Sequence, residues 1–489
     1  MVIAVMLSAC FLFFVAESLH WPWMNDSQHF HYVTLLIKRG MSPYREIIDI
    51  NMPGGYFSEF FGIFLFGPSD LAWRLYDYLI LVSFVIACVI IAWRYNWIAG
   101  LYAGVLFALI HGSEGPWMTA ERDEVMSVLI LFGYAFTFLG VRHRRSIYFL
   151  ISACLITLAA TVKPTAFIFE IVVLSLALNQ LKGSGLRIWP YIRESAVGTI
   201  LILSATVAFL LWRGSLYAFL QRTSSITRYY MSLHKPSFYF MLHHSTPRGL
   251  FVIVPLAIIL FFHNRSWKNW EIASILGGVF LGLISYWLQN KGYEYHRYPF
   301  VAFALLWSGL EFVISLRTKD AYRWVGVAGL LIGTFFVAPF YAVRVVYAEQ
   351  SNALPMALIS DLQKIPNVQL QDHVQCLDGI VGCYSALYRL QLKQSNGLMG
   401  DQVLFSTQAS PVVEKLRDEF WRQITAAPPS VFIVTNYWYG EPQSFDKIDA
   451  WPEFAAYLRS NYRVVAEWPS HLEGVEPQPI GYRIYRHNQ

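Results

Sequence analysis

Long apolar stretches alternate with short polar ones through the first two thirds of the chain. They run over residues 2–16, 71–93, 97–110, 124–141, 147–161, 164–178, 195–212, 250–262, 272–288, 299–316 and 324–346. In lipid, a segment must satisfy its backbone hydrogen bonds internally, so each run is expected to be a helix. A crossing takes roughly 17–25 residues, and the shorter runs must borrow flanking residues to span. Residues 2–16 follow no Lys or Arg and precede no clear small-residue cleavage site. They read as a first spanning helix rather than a cleaved leader; the run is short, and the natural start can lie upstream.

The pattern changes near residue 347. Polar residues rise, and no further span occurs. Short runs rich in β-branched and aromatic residues at 431–435, 464–468 and 482–485 predict strands, while 412–424 and 451–458 predict helices. The expected fold class is a mainly α, polytopic membrane protein with about eleven transmembrane helices and a C-terminal extracytoplasmic α/β domain. The expected division is a transmembrane domain over 1–346 and a soluble domain over 347–489. The loop over 17–70 is too patterned for a simple connector. Its segments 27–38 and 55–66 predict amphipathic helices lying in the membrane interface.

Loop charge supplies an orientation. Arg94; Arg142, Arg144 and Arg145; Lys182 and Arg187; Arg265 and Lys268; and Arg317, Lys319 and Arg323 fall in alternate short loops. The positive-inside rule makes that side the cytoplasm. An odd number of spans then leaves the C-terminal domain outside, and the compact loops fit a bacterial plasma membrane with that domain in the periplasm or exterior.

Composition supports lipid as the solvent. Hydrophobic residues make up 56% of the 489 and charged residues only 14%, against about a quarter charged in soluble domains. A net charge of +5 gives no large basic face, which argues against nucleic acid as a partner. Cys10, Cys88 and Cys154 sit in apolar runs as buried thiols. Cys376 and Cys383 lie in the polar region, where an oxidising compartment would allow them to pair; spacing alone leaves this open.

Ionisable residues beside spans carry the candidate chemistry, because charge at membrane depth is costly. Asp26, Glu121-Arg122-Asp123-Glu124, Lys163-Pro164 and Lys291-Gly-Tyr-Glu294-Tyr-His296-Arg297 all fall at the outer surface in this topology. Acids and bases sharing one interface are what an active site needs. Each also has a plainer reading: Glu121 and Glu124 as acids facing a helix dipole, Asp26 as a cap, Arg297 as a lipid-phosphate contact. His243 and His244, with His234 upstream, lack acidic or Cys partners at ligand spacing and read as an interfacial loop. Tyr437-Trp-Tyr439 with Glu441 follows a predicted strand and reads first as core, second as a sugar-stacking surface.

The order of these motifs resembles the GT-C glycosyltransferases, in particular the branch of protein O-mannosyltransferases and the lipid A aminoarabinose transferase. Asp26 follows the first helix; Arg39-Gly40-Met-Ser-Pro43-Tyr44 and Asn51-Met52-Pro53-Gly54-Gly55-Tyr56 follow it; Gly67-Pro-Ser-Asp-Leu-Ala-Trp-Arg74 opens the second span. The resemblance covers most of residues 17–315. It implies inverting transfer of a sugar from a polyprenyl-phosphate donor to an acceptor hydroxyl on a glycan, lipid or protein. It places the general base at Asp26, with Asp123 or Glu124 positioning the acceptor. Lys163, His296, Arg297 and Arg45 are the candidates for the donor phosphate. Some relatives carry a phosphate-contacting Lys where this chain has Met52, so Arg45 or a later cation must take its place. No residue is assigned as a metal ligand, although a divalent ion shared by Asp26 and Asp123 stays open.

Two other functions compete. A transporter or flippase for a lipid-linked glycan predicts charges near mid-span and broken helices, whereas Arg74, Asp77, Glu170 and Glu311 lie toward span ends. A receptor working through its outer domain would not need Asp26, Asp123 and Arg297.

Overall fold

The computed structural model describes residues 1–233, 235–348, 351–366, 368–469 and 479–488. Each of the eleven apolar runs lies on a helix. Among the described residues, seven helices are long and apolar enough to cross a membrane: Asp70–Ala92, Arg122–His143, Ala166–Gly183, Trp189–Trp212, Trp270–Gln289, Glu294–Ser315 and Tyr322–Val346. Phe238–Ser245 and Leu250–Asn264 add an eighth if this pair, bent by 73°, is one span. The remaining three runs are the shorter apolar helices Val2–Ser18, Trp97–Ser113 and Ile147–Val162. The protein is an integral membrane protein.

The chain divides into two compact units. The first comprises Met1–Trp21, Met52–Val207 and Pro236–Gln350; the second comprises Pro22–Asn51, Ala208–Lys235 and Ser351–Gln489. The composition change near residue 347 therefore marks one of several crossings between units, and much of the first loop folds with the C-terminal residues.

In the first unit, the apolar helices sort by what they face. Trp189–Trp212 is mostly exposed, presenting Val197, Ile200, Leu201, Val207 and Leu211, as a lipid-facing helix should. Glu294–Ser315 is almost wholly buried and forms the centre of the bundle, as expected for a helix that is apolar all round. Small residues let backbones approach. A Cβ at Gly282 would sit 2.4 Å from the Phe300 nitrogen, so only glycine fits that crossing. Helix ends follow local chemistry: Ser69 and Asn96 accept from Ala72 and Ile98 backbone N–H groups as N-caps. The helix Pro53–Phe66 exposes Phe61, Phe64, Leu65 and Phe66 at its end, keeping the apolar surface expected of an interfacial element.

In the second unit, β1 (Val374–Leu377), β2 (Val431–Thr435), β3 (Tyr462–Trp468) and β4 (Tyr482–His487) form one sheet in the order β1-β2-β4-β3. β1 and β2 are parallel, and the other two pairings are antiparallel. Phe432, Phe420, Trp451, Phe454, Leu458 and Tyr462 pack together against Pro411–Ala426 and Pro452–Asn461. Cys376 and Cys383 form a disulfide between β1 and the helix Cys383–Arg389.

The helix Asp26–Lys38 differs from the interfacial reading. Every residue from Ser27 to Ile37 is buried, with no face left for lipid. Tyr32 stacks on Tyr384 at 5.5 Å, Trp23 Nε1 donates to Ser385 Oγ at 3.1 Å, and Ile48 N donates to the Gly397 carbonyl at 2.7 Å. Its apolar stripe is a packing surface for the C-terminal residues, and its polar face is covered as well.

Candidate active site

Lys163 is delivered by a helix end. The residue before a proline is steered out of the helical region, and Lys163, ahead of Pro164, is extended (φ −144°, ψ 123°) as Ile147–Val162 terminates. Its Nζ lies 2.6 Å from Asp123 Oδ2 and 2.6 Å from Gln289 Oε1. Asp123 occupies the first turn of Arg122–His143, where the helix dipole favours an acid. Gln289 is the last residue of Trp270–Gln289. Three helix ends thus meet at one ammonium group.

The surroundings of that ammonium are positive. Burial pushes the Lys163 pKa down, Asp123 opposes the shift, and the nearby Arg122 guanidinium reinforces it. The backbone reverses through Asn290 (φ 47°) and Gly292 (φ 73°) into the short turn Glu294–Arg297. This brings His296 and Tyr295 alongside, with the Tyr295 ring 5.7 Å from Lys163 Nζ. His296 is buried, Lys163, Arg122 and Lys291 all bear on its charge, and its Nδ1 has no hydrogen-bond partner among the described residues. Such a gathering of cations and donors can hold an oxyanion.

Arg297 is engaged elsewhere. It donates to the His244 carbonyl at 2.6 Å and pairs with Glu114. Burial raises the Glu114 carboxyl to about 7, with Arg297 pulling it down and Glu294 pushing it up. Glu124, although next to Asp123, turns into the bundle. It is fully buried, with Oε2 3.9 Å from His111 Nδ1, and Asp77 Oδ1 lies 3.3 Å from Nε2 of the same ring.

Asp26 and Arg45 belong to the second unit. Asp26 is half-buried in the first turn of its helix, one residue after the N-cap Asn25. Tyr437 lies close enough that the Asp26 charge adds to the burial and the other carboxylates that raise its phenol. Arg45 is more than half exposed, with Glu46 Oε2 at 3.5 Å and Ser42 Oγ at 2.9 Å. His29 Nε2 faces Asp49 Oδ1 at 3.2 Å.

Of the expected residues, the first unit brings together Asp123, Lys163 and His296. Arg122, Lys291 and Gln289 join them without having been singled out as donor-phosphate ligands. Arg122 and Lys291 were visible only as parts of mixed-charge runs, where a neighbouring acid makes a structural pair the simpler reading. His243 and His244 stack on Tyr239 and Phe240 within one helix; His234 lies outside the described residues. Tyr439 packs near Tyr230 at 5.5 Å, and Trp438 Nε1 donates to the Phe405 carbonyl at 3.0 Å, a packed arrangement for most of that aromatic run.

No protein-family model and no curated protein matches this sequence. Solved structures do match. The archaeal oligosaccharyltransferase AglB from Archaeoglobus fulgidus, in complex with an inhibitory peptide and a dolichol-phosphate, shares 9% identity at a TM-score of 0.56, over 98% of this chain and 74% of that one. ArnT from Cupriavidus metallidurans, bound to undecaprenyl phosphate, shares 14% at 0.52, over 98% and 97%. The Archaeoglobus fulgidus oligosaccharyltransferase in complex with Zn and sulfate shares 11% at 0.53, over 88% and 67%. AglB and ArnT are GT-C fold glycosyltransferases, and the likeness shows that this chain has that fold.

Proposed function

We propose that this protein is a membrane glycosyltransferase that moves a sugar from a polyprenyl-phosphate donor to an acceptor hydroxyl on the extracytoplasmic face. The observation that carries this reading is the cationic cluster at Lys163, beside Asp123 and His296, in a chain with the GT-C fold. AglB and ArnT were solved with a dolichol-phosphate and undecaprenyl phosphate, which supports a lipid phosphate as the donor's leaving group here.

In the proposed reaction, the acceptor oxygen attacks the anomeric carbon as Asp26 takes its proton. The bond from that carbon to the phosphate oxygen breaks, and its electron pair leaves with the lipid phosphate. Lys163, with Arg122 and Lys291, stabilises the growing charge, and His296 contributes a hydrogen bond. Asp123 positions Lys163, and Gln289 fixes the same ammonium from a second direction. Arg297, held by Glu114, braces the turn that carries His296. One displacement inverts the anomeric centre.

The disulfide supports an oxidising compartment for the second unit, in agreement with the loop charges, and we place that unit in the periplasm or exterior of a bacterial plasma membrane. A flippase reading gains little support. Glu170 is hydrogen-bonded by Thr199 at 3.2 Å and Glu311 by Ser266 at 2.8 Å, so both carboxyls have neutral partners. The test is binding of undecaprenyl phosphate to purified protein in nanodiscs by native mass spectrometry. Wild type should retain one lipid phosphate that an uncharged polyprenol does not displace. Equal retention of polyprenol would remove the phosphate site from the account.

A further inference from the structure

A second polar cluster lies inside the first unit and takes no part in the proposed transfer step. Asp77 comes from Asp70–Ala92, His111 from Trp97–Ser113 and Glu124 from Arg122–His143, and all three are fully buried. One oxygen or ring nitrogen from each lies within 4.8 Å of the others.

The hydrogen bonds around this trio do not close. Asp77 is charge-paired: Arg74 Nη1 lies 2.9 Å from its Oδ2 as an ion pair without the geometry of a hydrogen bond, and Ala120 N donates to Oδ1 at 2.5 Å. Arg74 is itself committed to Asp77, Thr119 Oγ1 at 2.9 Å and Ser18 Oγ at 3.2 Å. Glu124 has no such arrangement, because neither of its oxygens has a hydrogen-bond partner. A buried carboxylate in that state is costly unless a proton, a counter-charge or a metal meets it. His111 shows the matching defect. Its Nδ1 sits 3.0 Å from the Tyr298 hydroxyl, while its Nε2 lies 3.3 Å from Asp77 Oδ1 without the angle of a hydrogen bond.

A cation resolves both defects together. With the Nδ1 hydrogen directed at Tyr298, Nε2 presents a lone pair, the outer-sphere arrangement that orients metal-bound histidines. Ligands about 2.0 Å from a tetrahedral zinc ion stand roughly 3.3 Å apart, the separation found between His111 Nε2 and Asp77 Oδ1. We infer that Asp77, His111 and Glu124 bind a divalent cation of the zinc class. All three side chains are fully buried, so the ion is structural: it ties three helices together and fixes the first turn of Arg122–His143, from which Asp123 reaches Lys163. The inference does not depend on the transferase reading. The competing account is a proton shared between Glu124 and Asp77.

The test is the metal content of the purified full-length protein after exhaustive dialysis, by inductively coupled plasma mass spectrometry. We expect about one zinc per chain, lost in His111→Gln and Glu124→Gln and kept in Asp26→Asn and Asp123→Asn. Chelator-stripped wild type should regain thermal stability on adding zinc chloride. Should the variants fail to fold, cobalt(II) added to stripped wild type must give the visible absorption of a tetrahedral nitrogen–oxygen site. No bound metal together with no response to zinc or cobalt establishes the shared proton and overturns the site. Metal lost in Asp26→Asn but kept in Glu124→Gln puts the ion at the interfacial acids and overturns it equally.

Discussion

Lys163 Nζ and Asp123 Oδ2 stand 2.6 Å apart, joining the end of one helix to the first turn of the helix before it. Asp123 is fully buried, and Lys163 keeps 17% of its side chain exposed. The side chain is therefore partly accessible while its ammonium is held by Asp123 and Gln289. This arrangement suits a group that must meet an anion without losing its own position.

Removing the ammonium should damage both roles. Breaking a buried pair by deleting one partner typically costs about 3–5 kcal/mol, because the other charge is stranded. Lys163→Met is expected to lower thermal stability and to weaken undecaprenyl phosphate binding at least tenfold, which is about 1.4 kcal/mol. The double variant Lys163→Met/Asp123→Asn should recover most of the stability and none of the binding. Thermal unfolding and lipid titration of the three proteins separate the two effects; recovered binding in the double variant would contradict the donor role.

Glu114 makes a pH prediction with a definite sign. Burial holds its folded carboxyl at about 7, against an ordinary value of 4.5. The native state then binds more protons than the unfolded state between those values. Its contribution to stability is complete below about 4.5 and is lost as pH rises through about 7. Unfolding temperatures of wild type and Glu114→Gln, compared across this window, should show wild type losing stability relative to the variant as pH rises. A flat difference would contradict the burial-driven shift.

The orientation is open to direct labelling. Thr407 in the second unit and Ser184 after Ala166–Gly183 are both exposed. In intact cells, a membrane-impermeant maleimide should label Thr407→Cys, with Ser184→Cys reacting only after lysis. The reverse pattern would invert the topology and place the proposed active face in the cytoplasm.

Hydropathy made the bundle legible, since all eleven apolar runs fell on helices. The strands at 431–435, 464–468 and 482–485 were legible from their β-branched and aromatic content. β1 was missed because Val374-Gln-Cys-Leu377 is short and interrupted by a polar residue that is itself buried. The helix Asp26–Lys38 was misplaced for a different reason. An amphipathic pattern specifies that one face is buried, but it does not say whether lipid or protein covers it. The Asp123–Lys163–His296 grouping was partly legible, because polar residues flanking spans are few. His111 was hidden at the edge of an apolar run, and its partner Asp77 read as an ordinary charge near a span end until three helices brought the two together with Glu124.

The central claim is tested most directly by donor turnover. Purified protein is incubated with a panel of polyprenyl-phosphate sugars and a membrane extract supplying acceptors, and released polyprenyl phosphate is measured by mass spectrometry beside a folded Asp26→Asn variant. The account predicts that wild type consumes at least one donor and that the variant loses on the order of 10²–10⁴-fold in rate, the usual contribution of a general base. Turnover at the same rate in both proteins would contradict Asp26 as the base, and no release from any donor, with acceptors shown to be present, would contradict the transferase reading itself.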